Sequence, residues 1–225
     1  TLNKWHHIAF TFDRDGDGVI YINGAPNRTA AANPNDYSSV DITNTANVFL
    51  GRGDGYFDGE ISNAAIFNTS LDAAAISTLF NSGTPQTSIS YSPTSWWKLD
   101  NITTGIQDSV GSNNGTITSG VTQVNSFVST LNGISSGMTT ANLVNSDLTR
   151  SIPYSSYSME FDGAADYLSC GSVDETEGIT TMSISGWFNP QTTGVGGAAG
   201  IIAKETRDWY VGWYSSPANS IRFFK

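Results

Sequence analysis

Positive charge, cysteine and long apolar runs are scarce in this chain, and each scarcity closes off a class of protein. Its 225 residues hold 10 Lys and Arg against 20 Asp and Glu, a net charge of −10. A surface of that sign repels phosphate backbones and anionic headgroups, so nucleic acid and an anionic membrane are not expected as partners. The single cysteine, Cys170, leaves no intrachain disulfide, so the fold has to stand on its core. Cys170 itself reads as a small buried hydrophobe. No stretch approaches the roughly 20 apolar residues of a spanning helix, so membrane insertion is not expected either. There is no signal peptide and no initiator Met, and residue 1 reads as a cut. Charged residues of both signs amount to only 13%. Gly, Ser, Thr and Asn are abundant instead, and the aromatic fraction is 12%. That profile suits many short strands joined by polar turns and disfavours a helical protein.

The clearest local pattern opens the chain. Ile8, Phe10 and Phe12 alternate with Ala9 and Thr11, an Asp/Gly turn follows, and Val19 to Ile22 forms a second β-rich run. This is a hairpin. Its aromatic face needs a second sheet to pack against, because two strands alone are marginal in water.

Two blocks follow from the rest of the pattern. The first covers residues 1–83. After a polar loop from Asn27 to Thr45 it has strands at 47–51 and 59–67, then a short helix. Thr69 or Ser70 is expected to cap that helix, with Asp72 in its first turn; Leu71, Ile76, Leu79 and Phe80 are its apolar positions, and Gly83 stops it. Residues 84–94, with Pro85 and Pro93, read as a linker. The second block, 95–225, starts with Trp96-Trp97-Lys98-Leu99-Asp100 and passes through a Ser/Thr/Asn-rich insert, 118–157, with no readable period. Strands resume at 158–163, 182–188, 200–204, 209–214 and 220–224.

In the first block, Trp5-His6-His7-Ile8-Ala9-Phe10 with Tyr21-Ile22-Asn23-Gly24, Phe49-Leu50-Gly51, and Phe57-Asp58-Gly59-Glu60-Ile61 with Ala65-Ile66-Phe67-Asn68 resemble the second half of a laminin G-like domain. In the second block, Trp97-Lys98-Leu99-Asp100, Asp108-Ser109 with Asn113-Asn114-Gly115-Thr116, Phe161-Asp162-Gly163 with Asp166-Tyr167-Leu168, and Ser183-Ile184-Ser185-Gly186-Trp187-Phe188 resemble the first half. Such domains are concanavalin A-like jelly rolls related to pentraxins. The resemblance implies an all-β antiparallel sandwich with one short helix, its halves in inverted order.

Two explanations of the inversion stay open. Either residues 1–83 finish one domain of a tandem array and 95–225 begin the next, or the chain is a circular permutant or swapped form. The tandem window is the favoured expectation, because Phe224-Lys225 stops in mid-strand. Half a sandwich would leave its inner face wet, at about 25 cal/mol for each Å². Each block therefore needs a mate, from this chain or from neighbouring copies or domains.

Calcium and carbohydrate are the candidate ligands. Asp13, Asp15 and Asp17, alternating before glycines, present carboxylates as the start of an EF-hand loop does, although the twelfth position is Gly24 and the flanks are strands; Asp and Gly also favour plain turns. By resemblance to pentraxins, a rim calcium would fall near Asp54 and Asp208, each with an arginine close by, Arg52 and Arg207. Trp209, Tyr210, Trp213 and Tyr214 crowd one strand, so one alternate pair is core and the other is free for sugar rings. Trp209 and Trp213, with Tyr56 on the rim beside Asp54, are taken as the carbohydrate-binding residues. Catalysis finds little footing. The acidic run Asp174-Glu175-Thr176-Glu177 reads as a loop rather than the carboxylate-bearing strand of a glucanase, and no nucleophile motif accompanies His6 and His7.

The insert, with Asn132-Gly133-Ile134-Ser135-Ser136-Gly137 and Arg150-Ser151-Ile152-Pro153-Tyr154, resembles inserts in laminin G-like repeats of marine bacteriophage structural proteins. That resemblance implies a non-catalytic structural or adhesion module at an extracellular or virion surface, such as a phage fibre, contacting cell-surface glycans. The alternatives are a secreted bacterial adhesin, the lectin-like module of a polysaccharide-degrading enzyme, or a spacer without a ligand.

Overall fold

The computed structural model describes residues 2–14, 16–31, 45–125, 157–173, 180–192, 198–204, 209–214 and 220–224. Within them the first segment supplies β1 (His6–Asp13), β2 (Asp17–Ile22), β3 (Ala25–Ala31), β4 (Val48–Leu50), β5 (Asp58–Phe67) and helix α1 (Ala73–Phe80). From residue 95 onward come β6 (Ser95–Trp97), β7 (Thr116–Thr118), β8 (Thr122–Asn125), β9 (Tyr157–Asp162) and β10 (Tyr167–Ser169). They are followed by β11 (Thr181–Pro190), β12 (Ala198–Lys204), β13 (Trp209–Tyr214) and β14 (Ser220–Phe224).

Two antiparallel sheets result. The first has the order β3-β2-β1-β11-β5-β9-β8, with β6 also paired to β5; the second runs β14-β13-β12-β4-β10-β7. Both sheets interleave the two segments. Strand β11 lies between β1 and β5, with Ile8 opposite Gly186 and Ile66 opposite Ile184. Strand β4 lies between β12 and β10, with Leu50 opposite both Ile202 and Leu168. Each segment thus covers the other's apolar face within one chain.

Alternation along the strands explains the core. From the first sheet Ile8, Phe10, Ile61, Ile66, Met159, Phe161, Ile184 and Phe188 face inward. They meet Val48, Leu50, Leu168, Ile201, Trp209, Val211 and Trp213 of the second sheet. The first sheet has a second buried face. Ala9, Tyr21, Ala65, Phe67 and Trp96 lie under Leu71, Ala75, Ile76 and Leu79 at the helix, which is why β1, β5 and β11 are buried almost continuously rather than at every other residue.

The helix begins and ends differently from the sequence expectation. Asp72, not Thr69 or Ser70, is the N-cap, its carboxylate accepting from the Ala75 N–H at 2.8 Å. Ser183 explains the shift. Its hydroxyl donates to the Thr69 carbonyl at 2.7 Å and accepts from the Leu71 N–H at 2.8 Å, which holds 69–71 against β11. At the other end Asn81 takes the left-handed conformation (φ 47°) and closes the helix before Gly83 is reached. The linker residues 84–94 contain no strand or helix, and Gln86 Nε2 returns to the Thr78 carbonyl at 2.7 Å.

Several motifs prove to be turn builders. Asp108 accepts backbone N–H bonds from Trp96, Val110, Gly111 and Asn113, which ties β6 to the loop that follows it. Asp162 accepts from Ala164, Ala165 and Asp166, which shapes the turn between β9 and β10. Strands β7 and β8 fall at or beside the start of the Ser/Thr/Asn-rich insert, and residues 126–156 of that insert lie outside the described residues.

Candidate functional site

On the second sheet the residues opposite the core form a polar and aromatic surface, and its construction starts at Gly51. That residue ends β4 at φ +84°, and a β-carbon there would run into the Phe161 ring. The chain turns out into a tight loop. Phe57 N–H bonds the Gly51 carbonyl at 2.9 Å, and Arg52 and Tyr56 form an antiparallel bridge. The Gly55 carbonyl accepts from Gly53 N–H and from Gly200 N–H on β12, both at 3.0 Å. Close approach makes this docking possible: a β-carbon at Gly200 would collide with the backbone of Gly53. The loop is thereby fixed to the sheet with Asp54 exposed at its tip.

Strand β13 supplies the partners of Asp54. Trp209, Val211 and Trp213 point inward, so Tyr210 and Tyr214 point outward. The Tyr210 hydroxyl donates to Asp54 Oδ2 at 2.9 Å and is itself paired with the Tyr214 hydroxyl. A phenol has one proton. With that of Tyr210 given to the carboxylate, Tyr214 must donate to Tyr210, and the three side chains form a directed chain ending on Asp54. Burial, then the bonds to Tyr214 and Asp54, pushes the Tyr210 phenol well above the ordinary tyrosine range. The Arg222 guanidinium lies over the Tyr214 ring, 4.9 Å from its centre.

A second group adjoins on β4 and β10. The Arg52 guanidinium stacks 4.8 Å from the Phe49 ring centre and 4.9 Å from that of Tyr167. Phe49 and Tyr167 meet edge to face at 5.2 Å, and Tyr56 lies 6.4 Å from Tyr167 at a 35° tilt. Phe49 is buried while Tyr56, Tyr167 and Arg52 are half-buried, which leaves ring surface open. Registration links the groups, since Ala203 of β12 sits opposite both Tyr210 and Phe49.

The residues anticipated from sequence divide among several places. Asp54 and Tyr56 come together on this loop. Trp209 and Trp213 do not join them: both are only 2% exposed and pack in the core. The outward pair of that strand is Tyr210 and Tyr214, because the larger apolar rings fill the space between the sheets while the phenols reach polar partners. Asp13 ends β1 at the hairpin turn, where its carbonyl accepts from Gly16 N–H at 3.2 Å, and Asp17 begins β2, exposed. Asp15 and Asp208 lie outside the described residues, as does the acidic run 174–177.

Whether calcium suits these groups is a matter of ligand count, since the ion takes six to eight oxygens. Among the described residues no three Asp, Glu, His or Cys side chains gather as a metal would require. Asp54 already gives one carboxylate oxygen to Tyr210. Of the expected rim pair the described residues include Asp54 alone, and Asp208 is not among them.

A carboxylate grouping that the sequence reading missed lies elsewhere, on β5 and β9. Registration sets Asp58 opposite Asp162 and Glu60 opposite Glu160. Glu60 is held by Ser158 Oγ at 2.9 Å and Asn189 Nδ2 at 3.2 Å. Only the pairing of two strands distant in sequence reveals it.

Residues 1–77 match the family model described as the concanavalin A-like lectin/glucanases superfamily. The matched stretch carries β1 to β5, strands of both sheets, and the start of α1. No curated protein and no solved structure matches the chain. The match and the two antiparallel sheets identify the fold as an all-β sandwich of the concanavalin A-like, laminin G-like kind. Domains of that kind are in general binding or adhesion modules rather than catalysts, and typically extracellular. No helix among the described residues is long and apolar enough to cross a membrane.

Proposed function

We propose that this chain is a non-catalytic adhesion module that holds glycans on the outer face of its second sheet, within an extracellular or virion structural protein such as a phage fibre. The observation that carries the reading is the convergence of Tyr56, Tyr167 and Arg52 with exposed Asp54 on one fixed surface. Sugar rings stack their C–H faces on aromatic rings, and their hydroxyls need charged or polar partners beside the stack. A rigid sheet supplies both without an ordering cost on binding. Repetition along a fibre, through neighbouring copies or domains, would multiply weak contacts into firm attachment. A secreted adhesin, or the lectin-like module of a polysaccharide-degrading enzyme, would use the same face.

An oligosaccharide array with the purified chain tests the reading. Tyr56→Ala and Tyr167→Ala are expected to lower retention at least tenfold while leaving the melting temperature within a few degrees. Absence of retention on every glycan refutes it, and release of reducing ends from a β-glucan refutes the non-catalytic part.

A further inference from the structure

Six of the twelve strand pairings among the described residues join residues 1–83 to residues 95–225: β1 with β11, β5 with β6, β9 and β11, and β4 with β10 and β12. The covalent tie between the two segments is the linker, 84–94, since the single cysteine forms no disulfide. We propose that a second copy of this chain is a partner through the same pairings, two copies exchanging segments so that 1–83 of each completes the sandwich of the other. The exchange does not depend on what the second sheet binds.

The linker carries the reason. Tyr91 and Ser92 are consecutive residues at φ +70° and +48°, both left-handed and neither of them glycine. That conformation presses the β-carbon toward the following carbonyl, and it weighs about tenfold for each residue against the chain that adopts it. Ser92 also precedes Pro93, whose ring favours an extended residue before it. Burial does not compensate, because Tyr91 is 43% exposed and Ser92 is exposed as well. The linker is anchored on either side of this pair. At its start the Thr84 N–H bonds the Asn81 carbonyl at 3.2 Å, Pro85 is buried, and Ile89 packs against the cluster under the helix. At its end the Thr94 N–H and hydroxyl both reach the Ile66 carbonyl, at 2.8 and 3.0 Å. Tyr91 and Ser92 are therefore a strained hinge between two fixed points. Every pairing between the segments is the same whether one chain or two supply it, so the linker sets the balance between closed and exchanged forms. Closure within one chain gains from an effective concentration of about millimolar. Relaxing both hinge residues in both copies offsets most of that gain and moves exchange toward micromolar protein.

Gel filtration with light scattering, after refolding from urea at millimolar and at low micromolar protein, tests the exchange. A species of twice the 24.0 kDa chain mass is expected. Its share should rise with the concentration at refolding and persist on dilution, because reversal requires both sandwiches to open. Tyr91→Gly together with Ser92→Gly removes the strain and should lower the dimer share at least tenfold, with the melting temperature within a few degrees of the parent. Two core variants distinguish exchange from the association of finished sandwiches. Ile66→Asp and Phe161→Asp each bury a charge, at positions 0% and 1% exposed in different segments, and neither should fold alone. Refolded together they should give a dimer with the parent melting transition at half amplitude, since exchange unites the two intact segments in one of its sandwiches. Absence of a dimer from the parent chain at millimolar protein overturns the proposal. So does a dimer share that the paired hinge substitution leaves unchanged, or a mixture of the two core variants that stays unfolded.

Discussion

His7 shows how much one position can carry. It begins the second residue of β1 and faces the helix side of the first sheet, 5.3 Å from the Trp187 ring and 5.9 Å from that of Phe80. Its Nε2 shares a 2.9 Å hydrogen bond with Ser185 Oγ, and its Nδ1 is buried without a partner. Burial lowers its pKa from 6.5 to about 3. The unfolded chain therefore takes up a proton near pH 6.5 that the folded chain refuses until about pH 3. Stability contributed by neutral His7 is complete above pH 6.5 and declines by about 1.4 kcal/mol per pH unit as the pH falls through that window. Urea denaturation at pH 7 and pH 4 should show the loss, and His7→Phe should flatten it. Asp162 has the same sign in a different window. The N–H groups of Ala164 and then Ala165 hold its carboxyl below the usual 3.8, so its small contribution disappears only in stronger acid. At Cys170, burial and then the charge of Asp108 push the thiol far above its ordinary range, in keeping with a packing role.

Among the elements, α1 and the rim loop depend on contacts that local pattern does not reveal. Asp72→Ala removes the acceptor of the Ala75 N–H and should cost about 1 kcal/mol, lowering the melting temperature by a few degrees, whereas Ser70→Ala should cost almost nothing. Thermal denaturation of the two variants decides between the caps. Gly200 tests the loop. It needs no unusual backbone angle, only space, and Gly200→Ala would force its β-carbon onto the Gly53 backbone. The expected result is a loss of about 1–3 kcal/mol with glycan binding reduced at least tenfold, since Asp54 and Tyr56 move with the loop. A circular dichroism melt beside the sugar titration separates the two effects. Strand β13 carries the matching lesson about sides. Period-two alternation tells that one pair of its aromatics is inside, and the pairing of β13 with β12 and β14 decides which pair.

For the whole molecule the governing fact is that neither segment closes a sheet alone. β1 and β5 need β11, and β10 and β12 need β4. Fragments 1–83 and 95–225 prepared separately should therefore remain poorly structured and bind hydrophobic dye. Mixed, they should associate and give the melting transition of the parent chain. Gel filtration and near-ultraviolet circular dichroism read the outcome, and two independently folded fragments that ignore each other would contradict the sheet topology. The two faces of the sandwich also differ in kind. The outer face of the first sheet is closed by α1 over Ala65, Phe67 and Trp96, whereas the second sheet carries the loop with exposed Asp54.

Composition and alternation by themselves determined that this protein is an all-β sandwich and where most of its strands run, while the place of Asp54 and Tyr56 on the rim came from the family resemblance. The sandwich and its strands follow from local chemistry: β-branched and aromatic residues at period two, and glycines where the chain must turn. The tertiary structure alone decided that Tyr210 and Tyr214 rather than Trp209 and Trp213 face outward, that Asp72 caps the helix, and that Asp54 is bound by a phenol. Each of these depends on a partner far away in sequence, Ser183 for the helix start and Tyr210 for Asp54. Such partners are brought near only when two sheets share one core.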